Sequence, residues 1–491
     1  MHPIHPCARP AAGVFLLAAA VLGGCAALPG PDGALQPAAK VALATLPSPA
    51  AAVDAWPAED WWKAYGDPQL DRLIAQALAG HPNLALARAR IAQAQAAAGV
   101  ARGGAAPQVT ADASAGYGRQ SEHYLMPRPP LGKGGEYVSQ GQAIINLGYD
   151  LDLWGRNAAL IAAAEDQARA AAFDYAGARL ALAVSIARAY AQLASQHELL
   201  DITDATLKQR EATADLIRKR LAAGLDTRLE VRQAETGSAS LAAERVQLEA
   251  ALAVTRLQLA ALAGAMPEAA SAIARPRLTT PAFNLPASLP LDLLGRRPEI
   301  AAQGSRIAAA REGIAVARAE FYPNINLAAL IGVQAIGLNH LFSAGSMTSN
   351  VGPAFHLPLF EGGRLRAAYQ QRTAELEGAV AQYDQSVLAA AQEVVEQLTR
   401  GAALDREAVS ADAALAAAQE AHRIALLRYR EGLTSYLSVL AVEGQLLTQQ
   451  RAIADLKARR LDAHIALVRA LGGGFSAMPP ATDHPSQEQK P

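Results

Sequence analysis

Apolar and polar positions alternate with period two in two separate stretches of the chain, and after each stretch the pattern changes to that of a long helix. Val109, Ala111, Ala113, Ala115 and Tyr117 alternate with Thr110, Asp112, Ser114 and Gly116. Ile325, Leu327, Ala329, Ile331 and Val333 alternate with Asn326, Ala328, Leu330 and Gly332. A second strand follows each: Ile145, Leu147, Tyr149, Leu151 and Leu153 against Asn146, Gly148, Asp150 and Asp152, then Val351, Pro353, Phe355, Leu357 and Leu359. Such alternation predicts strands whose two faces meet different surroundings. Each run is about 9 to 11 residues, the length of a tilted strand crossing a bilayer, although a soluble sandwich alternates in the same way.

Between Arg156 and Leu221 there is no proline, and Gly177 is the only candidate interruption. The stretch predicts one helix of about 66 residues, roughly 100 Å at 1.5 Å per residue and too long for a compact domain. Arg364 to Tyr429 predicts its counterpart, with Gly378 and Gly401 as weak points. Shorter return helices are expected near Leu229 to Ala263 and Leu437 to Leu471, with Pro82 to Arg102 and Pro298 to Arg318 stacking on them to complete the length. Leu180, Val184, Ala187, Ala191 and Ala194 are spaced 4,3,4,3, the rhythm of a coiled-coil seam. Small alanines there permit close helix approach.

The two halves are copies of one pattern. His81-Pro82-Asn83 matches Arg297-Pro298-Glu299, Arg90-Ile91-Ala92 matches Arg306-Ile307-Ala308, and Pro107 matches Pro323, all at an offset of 216. Arg156 and Arg364, Arg220 and Arg428, Gly224 and Gly432, Glu235 and Glu443, and Gly264 and Gly472 align at an offset of 208. One length change of eight residues between Pro107 and Arg156 reconciles the two offsets. Helix-breaking residues align along with the alanines, so the match is a repeat rather than shared composition.

The N-terminus separates the membrane reading from the soluble one. Arg9 precedes an apolar run, Ala11 to Leu22, too short to span a membrane and suited to a secretory signal. It ends in Leu22-Gly23-Gly24-Cys25, which resembles the site where a bacterial lipoprotein is cut and acylated on cysteine. Cys7 would leave with the signal, so Cys25 is the only cysteine expected in the mature chain and no disulfide framework is possible. Ala26 replaces the aspartate that favours inner-membrane retention in such lipoproteins, which points to the outer membrane.

Lipid excludes open sheet edges, because each unpaired backbone group there lacks a partner. Four strands cannot close a barrel, so chains must pool them. Two copies would give an interior just wide enough for side chains, whereas three would leave a wider bore.

Composition changes this picture little. Apolar residues make up 51% and aromatics only 5%, thin for several large globular cores. The net charge of −1 carries no nucleic-acid footprint. No run of about 18 apolar residues follows the signal, so a transmembrane helix is not expected. The ten histidines are scattered and predict no zinc site, and no cofactor is expected beyond lipid on Cys25. Gly132-Lys133-Gly134-Gly135 lacks the spacing of a phosphate loop and reads as an extracellular loop. Asp150 and Asp152 fall on the polar strand face and are expected to line a lumen.

Leu289-Pro290-Leu291-Asp292-Leu293-Leu294-Gly295-Arg296-Arg297-Pro298-Glu299-Ile300 resembles the central signature of outer membrane efflux lipoproteins, the TolC-like outer membrane factors of the NodT type. Trp61-Trp62 with Gly66-Asp67-Pro68, Asp152-Leu153-Trp154-Gly155-Arg156 and Pro358-Leu359-Phe360-Glu361-Gly362-Gly363-Arg364 support the resemblance, which runs from Cys25 to about Gly472. It implies a mainly α fold with membrane β: a homotrimer whose 12-stranded barrel, four strands per chain, continues into a helical periplasmic tunnel. It further implies a passive duct for small molecules, working with a periplasmic adaptor and a proton-driven inner-membrane pump, without catalysis. An outer membrane duct for ATP-driven protein secretion is the alternative. The expected divisions are a signal at 1–24, a lipid-tethered extended segment at 25–60, the first repeat at 61–264, a Pro-rich crossover at 265–296, the second repeat at 297–472 and a disordered tail at 473–491.

The helix-to-helix tips are the expected functional region. Gly224 and Gly432 suit left-handed helix ends, and Asp226, Thr227 or Ser435 suit the caps that follow. The resemblance makes these tips the closed periplasmic entrance and the adaptor's docking surface, with Gly224, Leu225, Thr227, Gly432, Leu433 and Ser435 as contacts. Arg228, Glu230, Arg428, Arg430, Glu431, Tyr436, Ser438 and Ala441 are the candidate gate. Relatives often carry aspartates where Ser438 and Ala441 stand, so an acidic ring is not expected, although Glu443 lies near; Tyr436 and Leu437 are expected to narrow the bore by bulk.

Overall fold

The computed structural model describes residues 56–119, 121, 135, 137–279, 281 and 293–476. The signal, Cys25, most of the extended segment, the Gly132-Lys133-Gly134 stretch, Leu289 to Asp292 and residues 477–491 lie outside the described residues.

A 3-10 turn at Trp61–Tyr65 leads into α1 (Pro68–Gly80) and α2 (Pro82–Gly104), then β1 (Gln108–Arg119), β2 (Tyr137–Asp150), α3 (Arg156–Ala222) and α4 (Arg228–Leu262). After a helical turn at Leu293–Arg296 the order repeats as α5 (Pro298–Ala319), β3 (Asn324–Ile336), β4 (Met347–His356), α6 (Arg364–Arg430) and α7 (Tyr436–Ala470). α3 and α6 each have 67 residues, and α4 and α7 each have 35. Each of the long pair therefore runs about 100 Å.

The chain divides into two compact units. One gathers Ile91–Ala170 and Gln303–Gln382, and holds the sheet. Its strands run in the order β1-β2-β3-β4, antiparallel throughout, so β1 and β4 are both edges. Register rows mostly keep like with like, Leu330 being the exception in the polar row below. Val109, Leu147, Ala329 and Val351 share one row, and Thr110, Asn146, Leu330 and Asn350 share the next, on the opposite face. Val109, Tyr117, Ile145, Ile331, Val351 and Phe355 are all exposed, giving the sheet an apolar face turned outward from the chain. On the other face Asn146 donates to the Asp112 carboxylate at 2.8 Å, and Gln142 stands opposite Gln334. Gly332 is required where it stands, because a Cβ would sit 2.2 Å from the Ala143 carbonyl oxygen.

The second strands differ from expectation at both ends. β2 starts earlier and stops at Asp150, and β4 stops at His356, so Leu151, Leu153, Leu357 and Leu359 lie beyond the sheet. The alternation there continues into a turn. Asp152 leaves the strand to accept from Asn157 N at 2.9 Å and Ala158 N at 2.8 Å, capping α3 instead of lining a lumen. Gly155, with φ 72°, turns the chain into the helix. Trp154 stacks on Tyr322 at 4.7 Å and donates to the Pro323 carbonyl at 2.7 Å, which fastens the end of β2 to the start of β3.

The other unit contains Ala171–Ala302 and Tyr383 onward, together with the segment ending at Arg90. Its core joins Trp61 and Tyr65, Leu70 and Ile74 of α1, Leu84 of α2, α3 between Leu182 and Leu193, Leu252 and Leu259 of α4, and Leu461 and Ile465 of α7. Val184, Ala187 and Ala191 of the expected seam are buried, but so are Leu182, Ile186, Tyr190 and Leu193. This part of α3 is thus packed around most of its circumference rather than along one stripe. α3 also contains a window long and apolar enough to cross a membrane by length and composition alone. Its apolar side chains between Leu182 and Leu193 are taken up by this core. Asp67 caps α1 and also accepts from the Tyr190 hydroxyl at 2.7 Å and Arg277 N at 2.7 Å, so one carboxylate ties the start of the unit to α3 and to the chain after α4.

Candidate functional site at the helix tips

Both tips are built by the same backbone device. α3 ends at Ala222, Gly224 takes φ 75°, and Leu225 N donates back to the Arg220 carbonyl at 2.9 Å. α6 ends at Arg430, Gly432 takes φ 76°, and Leu433 N donates to the Arg428 carbonyl at 2.8 Å. A left-handed residue closes off the last carbonyls of each helix, which glycine does without a Cβ clash. The result leaves Leu225 and Leu433 exposed at the two turns.

Side chains then treat the tips differently. Thr227 caps α4 by accepting from Leu229 N at 3.1 Å, while Glu230 reaches back to Thr227 N at 2.9 Å. This reciprocal box occupies Glu230, which therefore serves the cap rather than a gating ion pair. The Thr227 hydroxyl and backbone hold the Glu230 carboxyl below its ordinary range. Ser435 occupies the equivalent position before α7 but makes no side-chain cap bond, so its expected capping role is not observed.

Asp226, expected as a cap, does something else. Its carboxylate accepts from Arg220 Nε at 3.1 Å and from the Tyr429 hydroxyl at 2.5 Å, while the Arg220 guanidinium lies 4.8 Å from the centre of the Tyr429 ring and donates to the Arg430 carbonyl at 3.3 Å. Asp226 and Arg220 belong to the first tip and Tyr429 and Arg430 to the second, so this cluster staples one hairpin to the other. Burial, and then the bond to Asp226, push the Tyr429 hydroxyl well above its ordinary range.

Tyr436 does not project as bulk into a bore. It is buried with Tyr429, Ile217, Ala234 and Val439, and supports the tips from within. Leu437, Ser438 and Ala441 are exposed. Glu443 is buried in an ion pair with Arg210 of α3 at 2.6 Å, and Arg210 also donates to the Gly237 carbonyl of α4 at 2.7 Å. An exposed acid near Ser438 is therefore not supplied by Glu443. This three-helix tie was invisible in the sequence, because its ion-pair partners are 233 residues apart. Gly237 offers the one hint: a Cβ there would lie 2.8 Å from Arg210 Nη1. Among the candidate gate residues, Arg228, Arg428, Arg430 and Glu431 are exposed and, among the described residues, form no ion pair.

An outward apolar face on a sheet with two edge strands, coupled in sequence to helices of about 100 Å, is the pattern of a class of membrane channel. The chain belongs to the outer membrane efflux protein family, whose model matches residues 73–265 and 289–473. It is 37% identical over 88% of its length to the fusaric acid resistance protein FusA of Burkholderia cepacia, covering 81% of that protein. It is 31% identical to the pyoverdine export outer membrane protein OpmQ of Pseudomonas aeruginosa, covering 94% of this chain and 97% of that one. Among solved structures, VceC of Vibrio cholerae, an outer membrane protein, superposes with TM-score 0.80 at 38% identity, covering 86% of this chain and 100% of that one. The outer-membrane channel OprN superposes with TM-score 0.80 at 27% identity, covering 91% and 98%. The chain is an outer membrane efflux channel with the mainly α, membrane-β fold of these proteins.

Proposed function

We propose that three copies of the chain form a passive exit duct for small molecules, with a 12-stranded barrel made from four strands of each copy. The carrying observation is the four-stranded sheet whose β1 and β4 edges are both unpaired among the described residues and whose apolar face is exposed. Such edges are excluded from lipid unless strands from other chains pair them, and three copies give a bore wider than side chains alone would fill. The names of relatives support small molecules as cargo: fusaric acid resistance, multidrug resistance and pyoverdine export. No chemistry is assigned to the chain itself. Cys25 is acylated and tethers the N-terminus to the outer membrane, a reading supported by Leu22-Gly23-Gly24-Cys25. The tips, through Gly224, Leu225, Thr227, Gly432, Leu433 and Ser435, receive a periplasmic adaptor that joins the duct to a proton-driven inner-membrane pump.

Leu433→Cys tests this directly. With Cys25 acylated, position 433 carries the only free thiol of the mature chain. Cross-linking in cells followed by mass spectrometry should capture the adaptor of a proton-driven pump. Capture of an adaptor from an ATP-driven secretion system would move the reading to protein export, and no capture at normal expression would remove the tips as the docking surface.

A further inference from the structure

We propose that the tips select a protein partner whose docking segment combines apolar side chains with carboxylates. The inference rests on the reading of the tips as the docking surface and adds the partner's chemistry. Each tip presents two leucines to solvent at matching positions: Leu225 and Leu229 at 65% and 62% exposure, Leu433 and Leu437 at 67% and 61%. The same two leucines recur at equivalent positions of both tips, so the apolar exposure belongs to the duplicated turn and is available for a partner to cover.

The charges around them are unequal in sign once internal pairing is removed. Arg218 is engaged by Asp215, Arg220 by Asp226, Arg232 by Glu235 and Arg423 by Glu420, and Glu230 is held in the cap. Among the described residues of the tips, Lys219, Arg228, Arg428 and Arg430 remain exposed without an ion pair, against one free carboxylate, Glu431. Lys219, Arg428 and Arg430 lie in the last turns of their helices, where the helix dipole favours a cation. Arg228 has no such reason. It is the first residue of α4, where the dipole opposes a positive charge, and it stands between the two exposed leucines of its tip. A cation placed against the local field, beside apolar anchors, is explained by something outside the chain that brings carboxylates.

A second assembly of this chain meeting the first tip to tip is a poor occupant, since its tips carry the same surplus of positive charge. An anionic lipid surface fits the charge, but two leucines per tip fall short of the broad apolar face of a membrane-surface helix. An acidic protein segment satisfies both features: leucines form the desolvated centre and arginines a rim that sets encounter rate and partner choice.

The test replaces the chromosomal copy by Arg228→Glu/Arg430→Glu and measures the inhibitory concentration of a toxic compound to which deletion of the gene sensitises the host. Surface labelling of the barrel checks the level of each variant; Glu at position 228 agrees with the helix dipole and should not unfold the tip. The reversal should lower the inhibitory concentration to that of the deletion strain, with Arg228→Gln/Arg430→Gln falling between. Selection for restored growth should yield Asp or Glu to Lys changes in a periplasmic protein. Full export by the reversal, a neutral pair as defective as the reversal, or restoration only through lipid-synthesis genes or not at all would overturn the proposal. Leu225→Asp/Leu433→Asp, or the Ser pair if Asp lowers the level, separates the two readings. Full export there means the tips dock nothing. Loss there with full export by the charge reversal defeats only the acidic partner.

Discussion

The two tips share a backbone and differ in how side chains fasten it. In the first, Thr227 and Glu230 complete a reciprocal cap and Asp226 anchors Arg220; in the second, Ser435 and Ser438 stand at the box positions and Thr434 at the anchor. The second tip lacks both fastenings and is held instead by the first, through Tyr429 on Asp226 and the Arg430 carbonyl on Arg220. The tie above the tips repeats the inequality. Arg210 of the first hairpin neutralises Glu443 of the second, whereas Glu235, the duplicate of Glu443, pairs with exposed Arg232 on its own helix. Duplication therefore preserved the glycine-terminated hairpin, while divergence made one copy the support of the other.

Removing the deepest support should have the largest effect. Glu443→Ala leaves the Arg210 cation buried without its carboxylate, a loss of about 3 to 5 kcal/mol. Hydrogen exchange on the assembled protein should show faster exchange in the first turns of α7; unchanged exchange there would mean the pair does not tie the hairpins. Asp226→Ala comes next, at about 2 kcal/mol, because Arg220 retains the Arg430 carbonyl and the Tyr429 ring. It should loosen both tips and raise single-channel conductance, and an effect confined to the first tip would break the comparison. A smaller pair sharpens it: Thr227→Ala should cost about 1 kcal/mol at the start of α4, while Ser435→Ala should leave α7 unaltered. Equal effects would show that the missing cap bond forms in solution. Smallest is an acid effect. The Glu230 carboxyl is held below its ordinary range in the folded chain, so its contribution is present above the ordinary glutamate range and is lost as pH falls through the lowered value. Protection of the first-tip amides, taken relative to their intrinsic exchange rate at each pH, should therefore fall in acid, and Glu230→Gln should remove that fall.

Much of the architecture was legible because its signals are local. The absence of proline from Arg156 to Leu221 and the glycines at 224 and 432 place the long helices and their ends within a residue or two. Period-two alternation located all four strands but overran two, since Leu151 and Leu153 keep the rhythm after the backbone has turned to let Asp152 cap a helix. The site was less legible. Tyr436 reads as an exposed aromatic at a helix start until Ile217 and Tyr429, from other helices, are seen to cover it. Asp226 reads as a cap until Arg220 and Tyr429 claim it. Both errors have one cause: local sequence states which hydrogen bond a side chain can make nearby, while partners from distant segments decide which it makes.

The open edges of the sheet carry a thermodynamic consequence. β1 and β4 each pair on one side only, so in the trimer proposed above the remaining backbone bonds belong to the association rather than to the chain. Resistance to heat or denaturant then has no single value for a protomer. It rises with the concentration of copies, as mass action requires of any fold completed by its neighbours.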